Sequence, residues 1–311
     1  MTLDSRNRSN RWLHTYAVLV TAATFVLIVA GALVTSNDAG LSVPDWPTSF
    51  GSFRTPPMEG GVLYEHGHRM IAGTVGILTI ILAIWMWLKE SRRWLRRLGV
   101  AAVLAVILQA VLGGVTVLFH LPAAVSVGHA ALAQLFFCLM VGVALFTRED
   151  WSWAESRAED SSRPSIRALA VLTTVGIFAQ LILGAGFRHA GLGITPHVVG
   201  AIAVTAMIMG LASRVLAGDV REARLRRSAQ TLLWLLVVQL FLGLAAYAVK
   251  FKLVDHLPGL LAYQAAITAA HVAVGALVLA TSVVLTLNAY RFLSLKQENL
   301  AAGQATEQAS L

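Results

Sequence analysis

Four histidines in predicted hydrophobic helices are the residues of this chain with the clearest chemical potential. They form two pairs of matching position: His68 and His129 in the first half, and His197 and His271 in the second. An ionisable side chain at membrane depth is costly and usually marks a functional site. Paired imidazoles inside a helix bundle commonly hold haem iron from both faces. The pattern therefore predicts a membrane protein of doubled architecture that binds haem.

A carboxylate stands one helical turn before the first of these histidines. The segment runs Tyr64-Glu65-His66-Gly67-His68-Arg69, and a helix places Glu65 and His68 on one face because they are three residues apart. A carboxylate beside a haem ligand can transfer protons near an iron-bound substrate. The alternative is an acidic residue that stabilises a helix N-terminus. We predict the proton-transfer role for Glu65, and we interpret His66 as peripheral.

Each of the other three site histidines could instead have a purely structural role, as a hydrogen-bonded packing residue. Small neighbours of His129 leave room for a flat macrocycle, and His271 occupies the equivalent place in the second half. His197 follows Thr195-Pro196 at a predicted helix start and matches His68. This recurrence favours iron ligation over packing. For the outer-loop histidines, solvated and haem-edge positions both stay open; they are His120, His189 and His256.

Composition predicts the class of protein directly. The chain has 311 residues, of which 57% are hydrophobic and 13% charged. A transmembrane helix needs about 20 mostly apolar residues. Eight segments qualify, at about 13–35, 69–88, 98–119, 124–147, 167–188, 195–216, 229–250 and 263–290. We therefore predict an all-α membrane protein with eight transmembrane helices.

The placement of Lys and Arg predicts the orientation. With the N- and C-termini on the cytoplasmic side, all but five of the 24 Lys and Arg residues fall on that side; the five are Arg54, Arg69, Arg188, Lys250 and Lys252. The histidine sites then face the outer side. The net charge of +8 is mostly this topology signal, so nucleic-acid binding is a poor interpretation of it. Outer cations such as Arg69 fit either a haem propionate or a lipid headgroup.

The two halves of the chain repeat each other. Gln109-Ala-Val-Leu-Gly113 recurs as Gln239-Leu-Phe-Leu-Gly243, and Gln180 to Gly184 follows the same pattern. We predict tandem four-helix bundles at residues 1–155 and 156–311, with parallel repeats. A long proline-containing loop, Ser36 to Glu65, occurs in the first half, and its counterpart in the second is short. Cys138, the single cysteine, is interpreted as a packing residue.

These residues resemble the heme A synthases over essentially the whole length. The resemblance rests on Gly31-Ala32-Leu33-Val34-Thr35-Ser36 with Gly40-Leu41-Ser42-Val43-Pro44-Asp45-Trp46-Pro47, on Glu65-His66-Gly67-His68-Arg69, and on the contexts of His129, His197 and His271. It implies that His197 and His271 hold a resident haem b. It also implies that His68 and His129 face the substrate haem, with Glu65 essential. Cysteine pairs found in some members of the family are absent from this sequence.

The activity implied is oxidation of the C8 methyl of heme O to a formyl group, which gives heme A for a haem-copper terminal oxidase. The partners implied are heme O, a heme O synthase, terminal oxidase assembly factors, membrane lipid and a second copy of the chain. The location implied is the bacterial cytoplasmic membrane. Two rivals remain: a di-haem b-type electron-transfer cytochrome without substrate chemistry, and a transporter built on parallel repeats, which the few polar residues in the inner halves of the helices disfavour.

Overall fold

Eight long helices make up most of the structure, a computed structural model that describes residues 11–151, 158–218, 222–253, 259 and 263–295. In chain order they are α1 Arg11–Ser36, α2 Gly60–Lys89, α3 Arg93–Leu118, α4 Ala123–Phe146, α5 Ile166–His189, α6 Ile194–Ala217, α7 Ala223–Lys250 and α8 Gln264–Phe292. All eight are long and apolar enough to cross a membrane. The predicted all-α, eight-helix membrane class is confirmed. His256 and the predicted boundary between residues 155 and 156 lie outside the described residues.

Each half forms a closed ring of four helices. In the first half α1 contacts α2, α2 contacts α3, α3 contacts α4, and α4 returns to α1; helices α5 to α8 repeat this order. The two rings meet through α1 and α4 on one side and α5 and α8 on the other. Consecutive helices run antiparallel, so the C-terminal ends of the odd helices and the N-terminal ends of the even helices share one end of the molecule.

Small and apolar side chains fill the space inside and between the rings. The first ring packs around Leu82, Met86 and Leu95, and the second around Ile208, Leu211 and Leu232. A third cluster joins the two halves and consists of Ile28, Phe137, Ala276 and Ala280. Large apolar side chains such as Trp234 and Leu104 are exposed on the outer faces. An apolar exterior of this kind suits lipid, which does not penalise exposed hydrocarbon.

The linker between the halves is partly ordered as a strand, which departs slightly from a purely helical fold. Strand β1, Ala158–Asp160, pairs in parallel with β2, Leu293–Leu295, directly after α8. The buried Asp160 carboxylate accepts the Ile166 amide at 2.7 Å and so stabilises the start of α5. The Arg167 side chain donates to the Leu293 carbonyl. These contacts fasten the linker to the end of the second ring opposite the histidines.

Candidate haem sites

Every candidate histidine rests on a glycine of the preceding helix. A methyl group built on Gly31, Gly184 or Gly243 would lie 3.0 Å from the imidazole Cε1 of His68, His197 or His271, respectively. At Gly113 the same distance to His129 is 3.3 Å. These separations are tighter than ordinary van der Waals contact, so each ring lies directly on bare helix backbone. The four contacts place all four imidazoles at the shared end of the two rings.

The imidazoles of His197 and His271 face each other inside the second ring of helices. The centroids of His197 and His271 are 6.3 Å apart, and the ring planes are inclined by 81°. Two imidazoles bonded to one metal through a nitrogen each, at about 2 Å per bond, have centroids roughly 6 Å apart. The separation of the two imidazoles therefore fits one iron ion between His197 and His271. His68 and His129 of the first half lie near enough for their charges to interact.

Glu65 is buried, with 4% of its surface exposed, and both of its oxygens are engaged. Oε2 accepts the backbone amide of Val43 at 2.8 Å, and Oε1 receives the Arg69 guanidinium at 2.5 Å. Arg69 also donates to the carbonyls of Asp45 at 2.7 Å and Thr48 at 3.0 Å. The sequence placed Glu65 and His68 on one face of α2, and the structure adds that Glu65 and Arg69 fasten the long loop to this helix.

The long loop, residues 37–59, has its own hydrogen-bonded turn. The Asp45 carboxylate accepts the Thr48 hydroxyl, the Phe50 amide at 2.6 Å and the Gly51 amide at 2.9 Å. These bonds, that from Thr48 first, lower the pKa of Asp45 to about 2. The Trp46 ring lies against Gly114 of α3, where a methyl group would come within 2.5 Å of it. The loop thus covers the histidine end of the first ring.

The other predicted site residues occupy several different places. His66 lies on α2 and its Nδ1 is 2.9 Å from the Ser49 hydroxyl, so it also holds the loop. Arg188, at the end of α5, donates to the Ser36 hydroxyl of α1 at 2.6 Å, which Thr268 of α8 also contacts at 2.9 Å. Arg188 therefore links the two halves. Cys138 is half-buried on α4 and packs against the core of the second ring.

Two features of the sites escaped the sequence analysis. In the sequence, Gly113, Gly184 and Gly243 serve only as part of a repeated pattern, whereas in the structure each lies directly under an imidazole. The Gln-x-x-x-Gly pattern was interpreted as a repeat signal, whereas each glutamine reaches the histidine next to it. Gln180 Nε2 lies 2.8 Å from the His197 carbonyl and 3.1 Å from its Nδ1. The fixed four-residue spacing between glutamine and glycine was the signal available.

Comparison with known proteins gives a consistent set of matches. Residues 58–196 match the family model COX15-CtaA, described as cytochrome oxidase assembly protein. The heme A synthase of Lysinibacillus sphaericus (strain C3-41) is 30% identical over 142 residues, which are 45% of this chain and 46% of the relative. That of Symbiobacterium thermophilum is 32% identical over 182 residues, 55% of this chain and 57% of the relative. The chain spans about half the length of the curated relatives it matches.

Proposed function

We propose that this chain, which matches the COX15-CtaA family model over residues 58–196 and is similar to bacterial heme A synthases, oxidises the C8 methyl of heme O to the formyl group of heme A. It is a multi-pass bacterial membrane protein. The observation that carries the proposal is an asymmetry between two otherwise matching sites. Glu65 stands one turn before His68, while Ile194 holds the same place before His197. The first half alone therefore pairs a candidate ligand with a carboxylate at this position.

The second half is proposed to hold a resident haem b. Its candidate ligands are His197 and His271, whose separation of 6.3 Å suits a shared iron. The connection from α5 to α6 spans only residues 190–193, much shorter than the loop between α1 and α2. A bound haem b would supply one-electron redox chemistry. The role of this chain is then to orient two imidazoles and to exclude water with the small residues around them.

The first half is proposed to admit and convert heme O. His68 and His129 would bind the substrate iron, and Glu65 would move a proton near the reacting methyl group. Arg69 orients the carboxylate, since its guanidinium contacts Oε1 at 2.5 Å. The loop over this site, whose counterpart between α5 and α6 spans only residues 190–193, provides a cover that can be rearranged when the substrate enters and the product leaves.

The surroundings of the reaction are proposed on the same basis. The termini would be cytoplasmic and the haem sites would face the outer side, as the Lys and Arg distribution predicts. Heme O would come from a heme O synthase, and heme A would pass to the assembly of a haem-copper terminal oxidase. The farnesyl tail of the substrate is apolar, which fits a site that opens to lipid.

The test is co-expression with a heme O synthase followed by extraction of the haems from membranes. The wild type should yield heme A, and Glu65→Ala and His68→Ala should yield heme O with haem b retained. Glu59→Ala is the matched control because Glu59 is an exposed carboxylate that precedes the same helix. Arg69→Met separates the two roles of the helix, since it removes the Arg69 bonds to the loop carbonyls of Asp45 and Thr48 but keeps the Glu65 carboxylate. Normal heme A from Glu65→Ala would refute the catalytic role, and haem b without heme A in the wild type would favour an electron-transfer cytochrome.

A further inference from the structure

Arg188 is a cation in the last turn of a membrane-spanning helix, and its side chain is directed toward the other half of the protein. Its Nη2 donates to the Ser36 hydroxyl of α1 at 2.6 Å, and Thr268 Oγ1 of α8 lies 2.9 Å from the same hydroxyl. The Arg188 side chain is half-buried where the two rings of helices meet. It therefore differs from a cation at a helix end that extends outward to lipid headgroups.

The position of Arg188 in its helix relates it to the imidazole pair of the second ring. Arg188 follows Gly184, the glycine under His197, by four residues, so the two lie on one face of α5. Thr268 precedes His271 by three residues and shares a face of α8 with it. The charges of Arg188 and His271 are near enough to interact. Arg188 and Thr268 therefore lie one turn closer to the end of the ring than the two imidazoles.

The positive charge of Arg188 is not balanced by a carboxylate in the part of the chain that the structure describes. The ion pairs there join Glu65, Glu90 and Asp150 to other arginines, and none includes Arg188. The charge of Asp38, at the start of the long loop, interacts with Arg188 without forming an ion pair within 4.0 Å. The hydrogen bond of the guanidinium goes to a neutral hydroxyl. A cation removed from water is stabilised by an anion, so this place favours an anionic group.

The proposed haem b of the second ring carries suitable anions. A haem has two propionate carboxylates on one edge of the macrocycle, and the imidazoles of His197 and His271 fit an iron ion at its centre. A planar guanidinium binds a carboxylate through two parallel hydrogen bonds. If the propionate edge is directed to the nearer end of the ring, its carboxylates lie on the side of Arg188 and Thr268. A lipid phosphate is the other candidate anion, but the contacts of Arg188 are with α1 and not on a lipid-facing surface.

We propose that Arg188 binds a propionate of the haem held between His197 and His271, and that Ser36 orients the guanidinium for this contact. The inference rests on the proposed function for the presence of haem b. It adds an anchor for the carboxylate edge of the haem, and so fixes which way the macrocycle is turned in the ring. It also makes α1, a helix of the first half, part of the cofactor site of the second half.

The test compares haem b with its dimethyl ester, which keeps the iron and the macrocycle but lacks the propionate charges. Purified wild type and Arg188→Met are loaded with either compound, and its transfer to apomyoglobin is followed by absorbance. Arg188→Met should release haem b about 10–100 times faster than the wild type does, the effect of losing a charge-assisted hydrogen bond. Both proteins should release the ester at nearly the same rate. Lys250→Met is the matched control, because it removes an exposed cation from the same end of the second ring.

Two further variants separate the charge of Arg188 from its place between the halves. Arg188→Lys keeps the charge and should release haem b more slowly than Arg188→Met does. Ser36→Ala keeps the cation and removes its neutral partner, so it should have a smaller effect than Arg188→Met. The midpoint potential of haem b should fall in Arg188→Met, because a propionate charge that is no longer balanced stabilises ferric iron.

Two results would overturn the inference. One is release of haem b at the same rate from the wild type and Arg188→Met, which would leave Arg188 a lipid-binding or purely structural residue. The other is an equal acceleration for haem b and its ester, which would show a loss of packing and not of a carboxylate contact. If Arg188→Met retains neither compound, the same comparison is made with Arg188→Lys. A wild-type protein that binds no haem b would instead refute the proposed function, so the two failures are distinguishable.

Discussion

At the scale of single residues, the candidate sites depend on the absence of a side chain at four glycines as well as on the four histidines. Glycine under each imidazole removes the side chain that would otherwise hold the ring away from the helix. The histidines could be predicted because an ionisable residue in an apolar helix stands out in a sequence. The contact of each with one glycine could not, because the sequence does not give the rotation of one helix relative to the next.

Glu65 shows the same division between what was predictable and what was not. Its place on the His68 face follows from a spacing of three, and an ion pair with Arg69 is expected from a spacing of four. The bond from the Val43 amide depends on the path of the long loop, which no local pattern specifies. The sequence thus predicted a carboxylate near His68, and the structure shows in addition that this carboxylate holds the long loop.

The residue-scale prediction concerns the pair in the second half. His197→Ala and His271→Ala should each abolish the low-spin haem b spectrum, because one imidazole cannot complete two axial positions of the iron. Absorption and EPR spectra of the purified variants measure this directly. His14→Ala is the control, since His14 bonds to the Ala144 carbonyl at the opposite end of the molecule. Unchanged spectra in both site variants would remove the assignment.

At the scale of elements, hydropathy located all eight helices but not all of their ends. Helix α2 begins at Gly60, whereas the apolar segment predicted from hydropathy begins at about 69. The additional turns carry Glu65, His66 and His68, which lower the local hydropathy. The polar residues of the candidate site therefore obscure, in a hydropathy profile, the start of the helix that carries them. The proline-containing part of the predicted loop is non-helical, as expected from its prolines, whereas Gly60 to Glu65 of that predicted loop belong to α2.

A prediction at this scale concerns Asp45 and the order of the loop. The pKa of its carboxyl falls from an ordinary 3.8 to about 2, so the stabilisation is fully present above pH 3.8 and is lost as the pH falls through 2. Loop protection should therefore be constant from pH 7 to pH 4. Asp45→Asn, which removes the charge, should speed hydrogen exchange at the Phe50 and Gly51 amides at neutral pH. Glu59→Gln is the control, and equal exchange in the two variants would contradict the assignment.

At the scale of the whole molecule, the repeat predicted two bundles, and the contacts close a four-helix ring in each half. The sequence could not show which helices join the rings, because the faces of α1, α4, α5 and α8 are as apolar as those that meet lipid. The structure identifies Ala276 and Ala280 as the close contact, against Ile28 and Phe137. Small residues at a helix interface allow this approach.

Ala276→Leu tests that interface. Ala276 is fully buried between the halves, so the larger side chain should lower the free energy of unfolding by about 1–3 kcal/mol. Unfolding in mixed micelles with an increasing fraction of sodium dodecyl sulfate measures the change. Ala206→Leu adds the same atoms at an exposed position of α6 and should leave stability nearly unchanged. Equal stability of the two variants would mean that the halves do not pack through this surface.

The bond between Glu65 and the Val43 amide has a consequence for the timing of turnover. If Glu65 takes up a proton during oxidation of heme O, Oε2 becomes a poorer acceptor and the Arg69 contact loses its charge. The loop would then loosen in the same moment that the chemistry advances. Proton uptake by Glu65 and release of the product would then be coupled. The loop would open only after the reaction has begun. The rate of hydrogen exchange at the Val43 amide should therefore rise during turnover and fall again when heme O is exhausted.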